Sequence, residues 1–365
     1  MAKSKTVSSA ARFVLAGIFL LSAWSGAQTV DRSAISGGQL AWSFPTGNAV
    51  LSSPTIVKGV VYVGSFDDRV YALNASTGAA MWSHVTPYIV YSSPAVAGGD
   101  VYVGSNPNLY ALDATTGNKL WIYATGGVVY SSPVVADGVV YFGSVDSNVY
   151  ALDAQTGARL WSYATKGPIV ASPIVANGIV YIGSDDGSMY ALDASSGANL
   201  WSYLTNLSVH SKPVVWSGVL YFGSEDGNVY ALSATSGSLI WKFNTTRSVE
   251  SSPTVQNGIV YVGSDDRNVY ALSARNGAKL WTYQTHADIL SSPTLADGVI
   301  YVGSQDRNLY ALDATSGVKL WSYGTGGSVQ STPAIANGMV YVGSNDGSVY
   351  AFTQVVKTAM QIPTQ

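Results

Sequence analysis

The chain has no cysteine, so no disulfide can brace it and no lipidated cysteine can serve its export. Charge is scarce too: charged residues make up 11% of the 365 residues, against 47% hydrophobic. That balance excludes a disordered chain and calls for a large buried core. There are three histidines, His84, His210 and His286, and no two stand at ligand spacing. With no Asp-Xaa-Asp-Xaa-Asp loop either, no metal site is expected. The Ser-Xaa-Pro serines described below have no recurring base beside them, which leaves nucleophilic catalysis without support.

An apolar run from Phe13 to Trp24 is too short to cross a membrane, which takes ~20 residues. Lys3, Lys5 and Arg12 precede it and Ser25-Gly26-Ala27 follows, the layout of a secretory signal peptide. Residues 1–27 are therefore expected to be cleaved, and the mature chain to be exported, periplasmic or secreted, without a membrane span. Losing three cations from 18 leaves 15 basic against 21 acidic residues, a net charge of −6. Nothing in that balance attracts nucleic acid.

What the chain does have is a repeat. Trp42, Trp82, Trp121, Trp161, Trp201, Trp241, Trp281 and Trp321 stand 40 residues apart, with one interval of 39. Each copy opens on Ser-Xaa-Pro and continues through a Tyr-Val-Gly-Ser-like and a Tyr-Ala-Leu-like segment, and all but the last run on to a tryptophan tail. A period of this size is the signature of a repeat architecture. Four apolar runs per copy, A to D, read as strands. Asp137-Gly138, Asn177-Gly178 and their equivalents predict type I′ hairpins between A and B. Asp186-Gly187-type turns join B to C, and Asp-Ala-Xaa-Thr/Ser-Gly joins C to D. Pro54, Pro94, Pro133 and their equivalents are placed in strand A, which makes A an edge strand lining an axial channel. The strand B glycines (Gly64, Gly143, Gly183) are expected to admit a neighbour's large ring.

Leu40-Ala-Trp-Ser-Phe44 is a tail without a head, and the last head, from Ser331, ends at Phe352 without a tail. A closed ring resolves both. The expectation is an all-β, eight-bladed β-propeller of four-stranded antiparallel blades over residues 38–353, its last blade completed by the N-terminal strand. Residues 28–37 read as a linker and 354–365 as a C-terminal tail. A monomer is expected.

Ala111-Leu-Asp113-Ala-Thr-Thr116-Gly117-Asn-Lys-Leu-Trp121, repeated at Ala151 to Trp161 and Ala311 to Trp321, resembles the docking motif of the quinoprotein (PQQ-repeat) propeller family. The resemblance implies that the eight tryptophans dock between adjacent blades and hydrogen-bond the next copy. Quinoprotein dehydrogenases in the family bind PQQ with Ca²⁺ under long loops, many with a vicinal disulfide. This chain has minimal loops and no cysteine, and looks more like the bare, BamB-like propellers that work by protein contact. No cofactor is therefore expected, and the first reading is a non-enzymatic, protein-binding scaffold of the envelope or extracellular space. The alternatives are a PQQ-dependent dehydrogenase or quinone sensor, and a carbohydrate- or ligand-binding propeller that stacks its ligand on Tyr88, Tyr91 and Tyr130.

Comparing the copies shows where they differ. Three residues before each proline stand Leu51, Tyr91, Tyr130, Val170, His210, Glu250, Leu290 and Gln330. After Gly-Ser in the B–C turn stand Phe66, Asn106, Val145, Asp185, Glu225, Asp265, Gln305 and Asn345. Blades four to six thus gather His210, Lys212, Glu250, Asp185, Glu225 and Asp265, with Arg247 in a D–A loop. This sector, facing Tyr91 and Tyr130 across the channel, is the candidate recognition surface. Lys212 replaces a serine or threonine present in every other copy. Trp216, in place of the usual small residue at the far end of strand A, reads as an exposed ring rather than a contact anchor.

Overall fold

A computed structural model describes residues 35–357. The expected leader (1–27), most of the linker and the end of the tail lie outside the described residues. Among the described residues there is no helix long and apolar enough to cross a membrane.

Eight four-stranded antiparallel sheets follow one another, each a meander in the order A-B-C-D. Blade four is representative: A is Ile174–Ala176, B Ile179–Gly183, C Ser188–Asp193 and D Asn199–Leu204. The A–B hairpins are of the expected type, with Asn177 (φ 52°) and Gly178 (φ 74°) both left-handed. Strands B and C are buried along nearly their whole length, as runs without polar alternation should be. Strand D alternates and carries a bulge: Leu192 pairs with Asn199 and Ala191 with Trp201, leaving Leu200 outside the ladder and half exposed. The A strands of adjacent blades approach one another around the axis, blade one against blade eight included. The prolines stand immediately before strand A, not within it; Pro173 precedes Ile174. There the missing N–H costs the A–B ladder nothing.

Closure follows the expected stitch. Leu40–Pro45 pairs with Ser348–Thr353 as the D strand of blade eight. The structure adds a clasp beyond it, in which Ile35–Ser36 pairs with Val356–Lys357. Gln354 Nε2 donates to Asp297 Oδ2 (2.7 Å) in blade seven, and buried Val355 donates its N–H to the Tyr301 hydroxyl (2.7 Å).

Seven tryptophans dock as the resemblance implies. Trp82 Nε1 donates to Ala114 O of the next blade (3.0 Å) and its ring covers Gly117, where a Cβ would meet the indole at 2.6 Å. Tyr62 from strand B donates to that same carbonyl (3.1 Å), so both lone pairs are used. Trp321 departs from the pattern. Its indole N–H makes no such bond among the described residues, and the ring packs edge-on against Phe352 (5.3 Å). The strand B glycines admit no ring. A Cβ on Gly64 would meet Val90 Cγ1 at 2.3 Å and Val90 O at 3.0 Å, so glycine here lets the neighbour's backbone and a β-branched side chain come close.

Around the axis, the residue between serine and proline in each head donates its N–H to the hydroxyl of the equivalent residue in the next blade. Ser53 donates to Ser93 (2.8 Å), Ser93 to Ser132 and Ser132 to Ser172. Lys212 donates to Ser252, Ser252 to Ser292 and Thr332 to Ser53. Six links form. The two that do not are Ser292 to Thr332 and Ser172 to Lys212.

Candidate functional site at the channel mouth

The two variable columns meet at one rim because the backbone ties them together. Glu225 N–H donates to Ser208 O (3.0 Å) and Asp265 N–H to Ser248 O (3.0 Å), so each B–C turn is held against the D–A loop that leads into its own blade. The next aspartate in each turn is structural. Asp186 accepts from Tyr190 (2.7 Å), from the N–H of Lys166 (2.9 Å) and from the N–H of Ser188 (2.8 Å). Burial works to raise its pKa, but these donors together hold it below the ordinary carboxylate value.

On this frame His210 lies between two carboxylates. Its Nε2 is 2.8 Å from Asp185 Oδ1 and its Nδ1 is 3.0 Å from Glu225 Oε1. The Nε2 contact has hydrogen-bond geometry, and the Nδ1 contact is at ion-pair distance. Glu250 joins them from blade six: one ligand atom each from His210, Glu225 and Glu250 lies within 4.8 Å of the others. Each of the three offers one ligand atom to a divalent cation. Separate loops supply this trio, which is why linear spacing gave no sign of it.

Asp265 stands next in the arc with one carboxylate oxygen buried and without a hydrogen-bond partner. Burial first, then Glu250 and Asp288, push its pKa up to about 7; Arg247 offsets part of this. Glu250 is raised as well, by burial and by Glu225 and Asp288, with His210 opposing. Arg247, Asp265 and Asp288 line a cavity of about 460 Å³ that also reaches Glu225. Acid thus outweighs base, and the uncompensated carboxylates want a cation.

Tyr91 and Tyr130 meet edge to face (5.4 Å), and Phe66 extends the row to Tyr91 (6.0 Å). Burial raises the Tyr91 phenol, and the next contribution comes from the Glu250 carboxylate. Tyr88 is exposed beside them. Gln330 is half-buried and makes no side-chain hydrogen bond among the described residues.

Lys212 does not belong with this group. Its side chain lines the axial cavity below the mouth, and it forms no ion pair with the rim carboxylates among the described residues. Trp216 is exposed at the hairpin end of the same A strand.

A family model described as outer membrane protein assembly factor BamB, built on the PQQ repeat, matches residues 3–128, 108–241, 206–296 and 286–357. The chain belongs to this PQQ-repeat family. Among solved structures, BamB from Moraxella catarrhalis is 21% identical with a TM-score of 0.76, over 86% of this chain and 99% of that one. The quinohemoprotein alcohol dehydrogenase from Comamonas testosteroni is 18% identical (TM-score 0.75), over 92% of this chain and 79% of that one. A computationally designed protein, Ika8, is 18% identical (TM-score 0.78), over 87% of this chain and 100% of its own. At such identities the PQQ-repeat propeller shares a fold with each, and fold alone does not transfer activity. No curated protein matches the chain.

Proposed function

We propose that this protein is an exported, non-enzymatic propeller that binds a protein partner through its channel mouth, in the periplasm or outside the cell. The observation that carries the reading is the arc of Asp185, Glu225, Glu250, Asp265 and Asp288 around His210, on a rim built from short turns. Glu250 and Asp265, raised by burial and then by neighbouring carboxylates, are stabilised as anions when a cation arrives, so the partner surface should present lysine or arginine. Tyr91 and Tyr130 offer aromatic contact area. Membership in the BamB-type family supports envelope residence and work by protein contact.

The quinone reading fits the residues poorly. PQQ carries three carboxyl groups, and this mouth would set them among five acidic side chains with Arg247 and the His210 imidazole as the basic groups. No reaction step is derived through it.

Affinity capture from envelope extract with the mature protein, compared with the His210→Ala/Glu250→Gln variant, tests the proposal. A captured partner should be released by moderate salt and bound at least tenfold more weakly by the variant. Unchanged affinity would refute the mouth as the contact. A rise in unfolding midpoint with PQQ plus Ca²⁺ that survives dialysis would favour the quinone reading instead.

A further inference from the structure

Lys212 breaks a structural rule that seven other copies keep. Each of those presents a hydroxyl on the axis, and Lys212, a donor only, cannot accept the N–H of Ser172. That N–H has no acceptor among the described residues, and neither does the Lys212 ammonium. The cost is double: one ring link is lost, and an ammonium that stays open to the channel is set among the strand A heads without a counter-ion. The protein atoms around the channel lower its pKa by desolvation. Nothing in the packing of blade five requires this lysine, because Ser252 and Ser172 hold the same place in the blades on either side.

The cavity around it is of ligand size. It measures about 600 Å³ and runs along the axis from the Ser-Xaa-Pro ring toward the A–B hairpins, the end opposite the acidic mouth. Its walls are mainly apolar, with Pro94, Val96, Val134, Ile174 and Val214 among them, and Lys212 is the one charged side chain in its lining. An apolar funnel that ends in a single ammonium beside a free N–H matches a monoanion with two oxygens and an apolar body. A phosphate dianion would need further cations that the funnel does not hold.

We propose that the axial funnel binds a small organic carboxylate, its head on Lys212 and the Ser172 N–H and its apolar part against the strand A walls. The site is independent of the channel mouth and of whatever partner binds there.

The test uses the mature protein, the Lys212→Ser variant, and Lys212→Thr as a second replacement that follows the threonine at position 332. Both restore the hydroxyl, so both should fold with an unfolding midpoint at or above the wild type. The probes are hexanoate, hexanol and sulfate. Hexanoate in large excess should raise the wild-type midpoint by a few degrees, and neither variant should respond. No wild-type shift with hexanoate, or an equal shift in the variants, overturns the proposal. An equal effect of hexanol would remove the role of the ammonium, and an equal effect of sulfate would remove the role of the apolar body; either overturns it too.

Discussion

Gly38 lies under the indole of Trp321 as Gly117 lies under Trp82. Its φ of +72° matches the +71° of Gly117, and a Cβ built on it would come within 2.5 Å of Trp321 Nε1. Blade eight has no Thr-Gly turn of its own, so a residue from the other end of the chain supplies the surface on which the last tryptophan docks. Gly38→Ala should therefore be about as damaging as Gly117→Ala, each by roughly 3 kcal/mol or more from clash added to backbone strain. Gly138→Ala is the control. It has positive φ but open space around the new Cβ, and should cost only about 1 kcal/mol. Denaturant unfolding of the three variants distinguishes a seam that docks from one that merely passes by.

The seam also differs in which hydrogen bonds it uses, with Gln354 and Val355 bonding blade seven in place of the indole. Trp281 Nε1 (2.9 Å) and the Tyr261 hydroxyl (3.1 Å) both donate to Ala314 O, while Trp321 makes no such bond among the described residues. Trp281→Phe should cost about 1–2 kcal/mol beyond the loss of ring area, since it removes a donor to a buried carbonyl. Trp321→Phe should cost only the ring area. Equal losses for the two, measured by chemical denaturation, would show that the indole N–H contributes little anywhere in the ring.

Asp265 predicts a pH dependence of definite sign. Its folded pKa of about 7 lies above the ordinary carboxylate value, so the folded protein keeps a proton that the unfolded chain has released. The associated stability is complete below the ordinary carboxylate pKa and is lost as pH rises toward and through about 7. Asp265→Asn mimics the protonated form and should be more stable than wild type at pH 8 by about 1 kcal/mol, discounted for solvent screening. The difference should vanish near pH 4. The turn aspartates Asp146, Asp186, Asp226, Asp266 and Asp306 act oppositely: their pKa values are lowered, so their contribution is present at neutral pH and lost as pH falls below about 4. Urea midpoints across this range for wild type and Asp265→Asn check both halves.

What the sequence made legible was whatever repeats. The period, the Asn-Gly and Asp-Gly turns and the orphan tail at Trp42 led to the blades, hairpins and stitch because each is a local rule stated many times over. What it hid was contact across copies. Gly64 announced a close approach but not that Val90, rather than a ring, makes it. His210, Glu225 and Glu250 converge because ring curvature brings separate loops together, which no linear spacing encodes. Lys212 was grouped with His210 because the two stand near each other in sequence. Two residues along the chain carry it past the rim into the funnel.

Closure itself gives the last prediction. The D strand of blade eight is Leu40–Pro45, and Phe44 packs edge-on against Tyr71 of blade one (5.5 Å) while Trp42 Nε1 donates to Ala75 O (2.9 Å). Removing residues 28–45 from the mature protein would uncover strand C of blade eight along Ser348–Thr353 and leave blade one without its docked neighbour. In a ring every blade has two neighbours, and unfolding is cooperative because no blade can leave first. An opened ring has two ends, each free to fray in the way of an uncapped repeat array. The truncated protein should therefore unfold over a broader denaturant range, with a smaller m-value and a lower midpoint than the mature protein. A truncated protein with the same midpoint and the same m-value would mean that blades one and eight hold the ring closed without the strand that joins them.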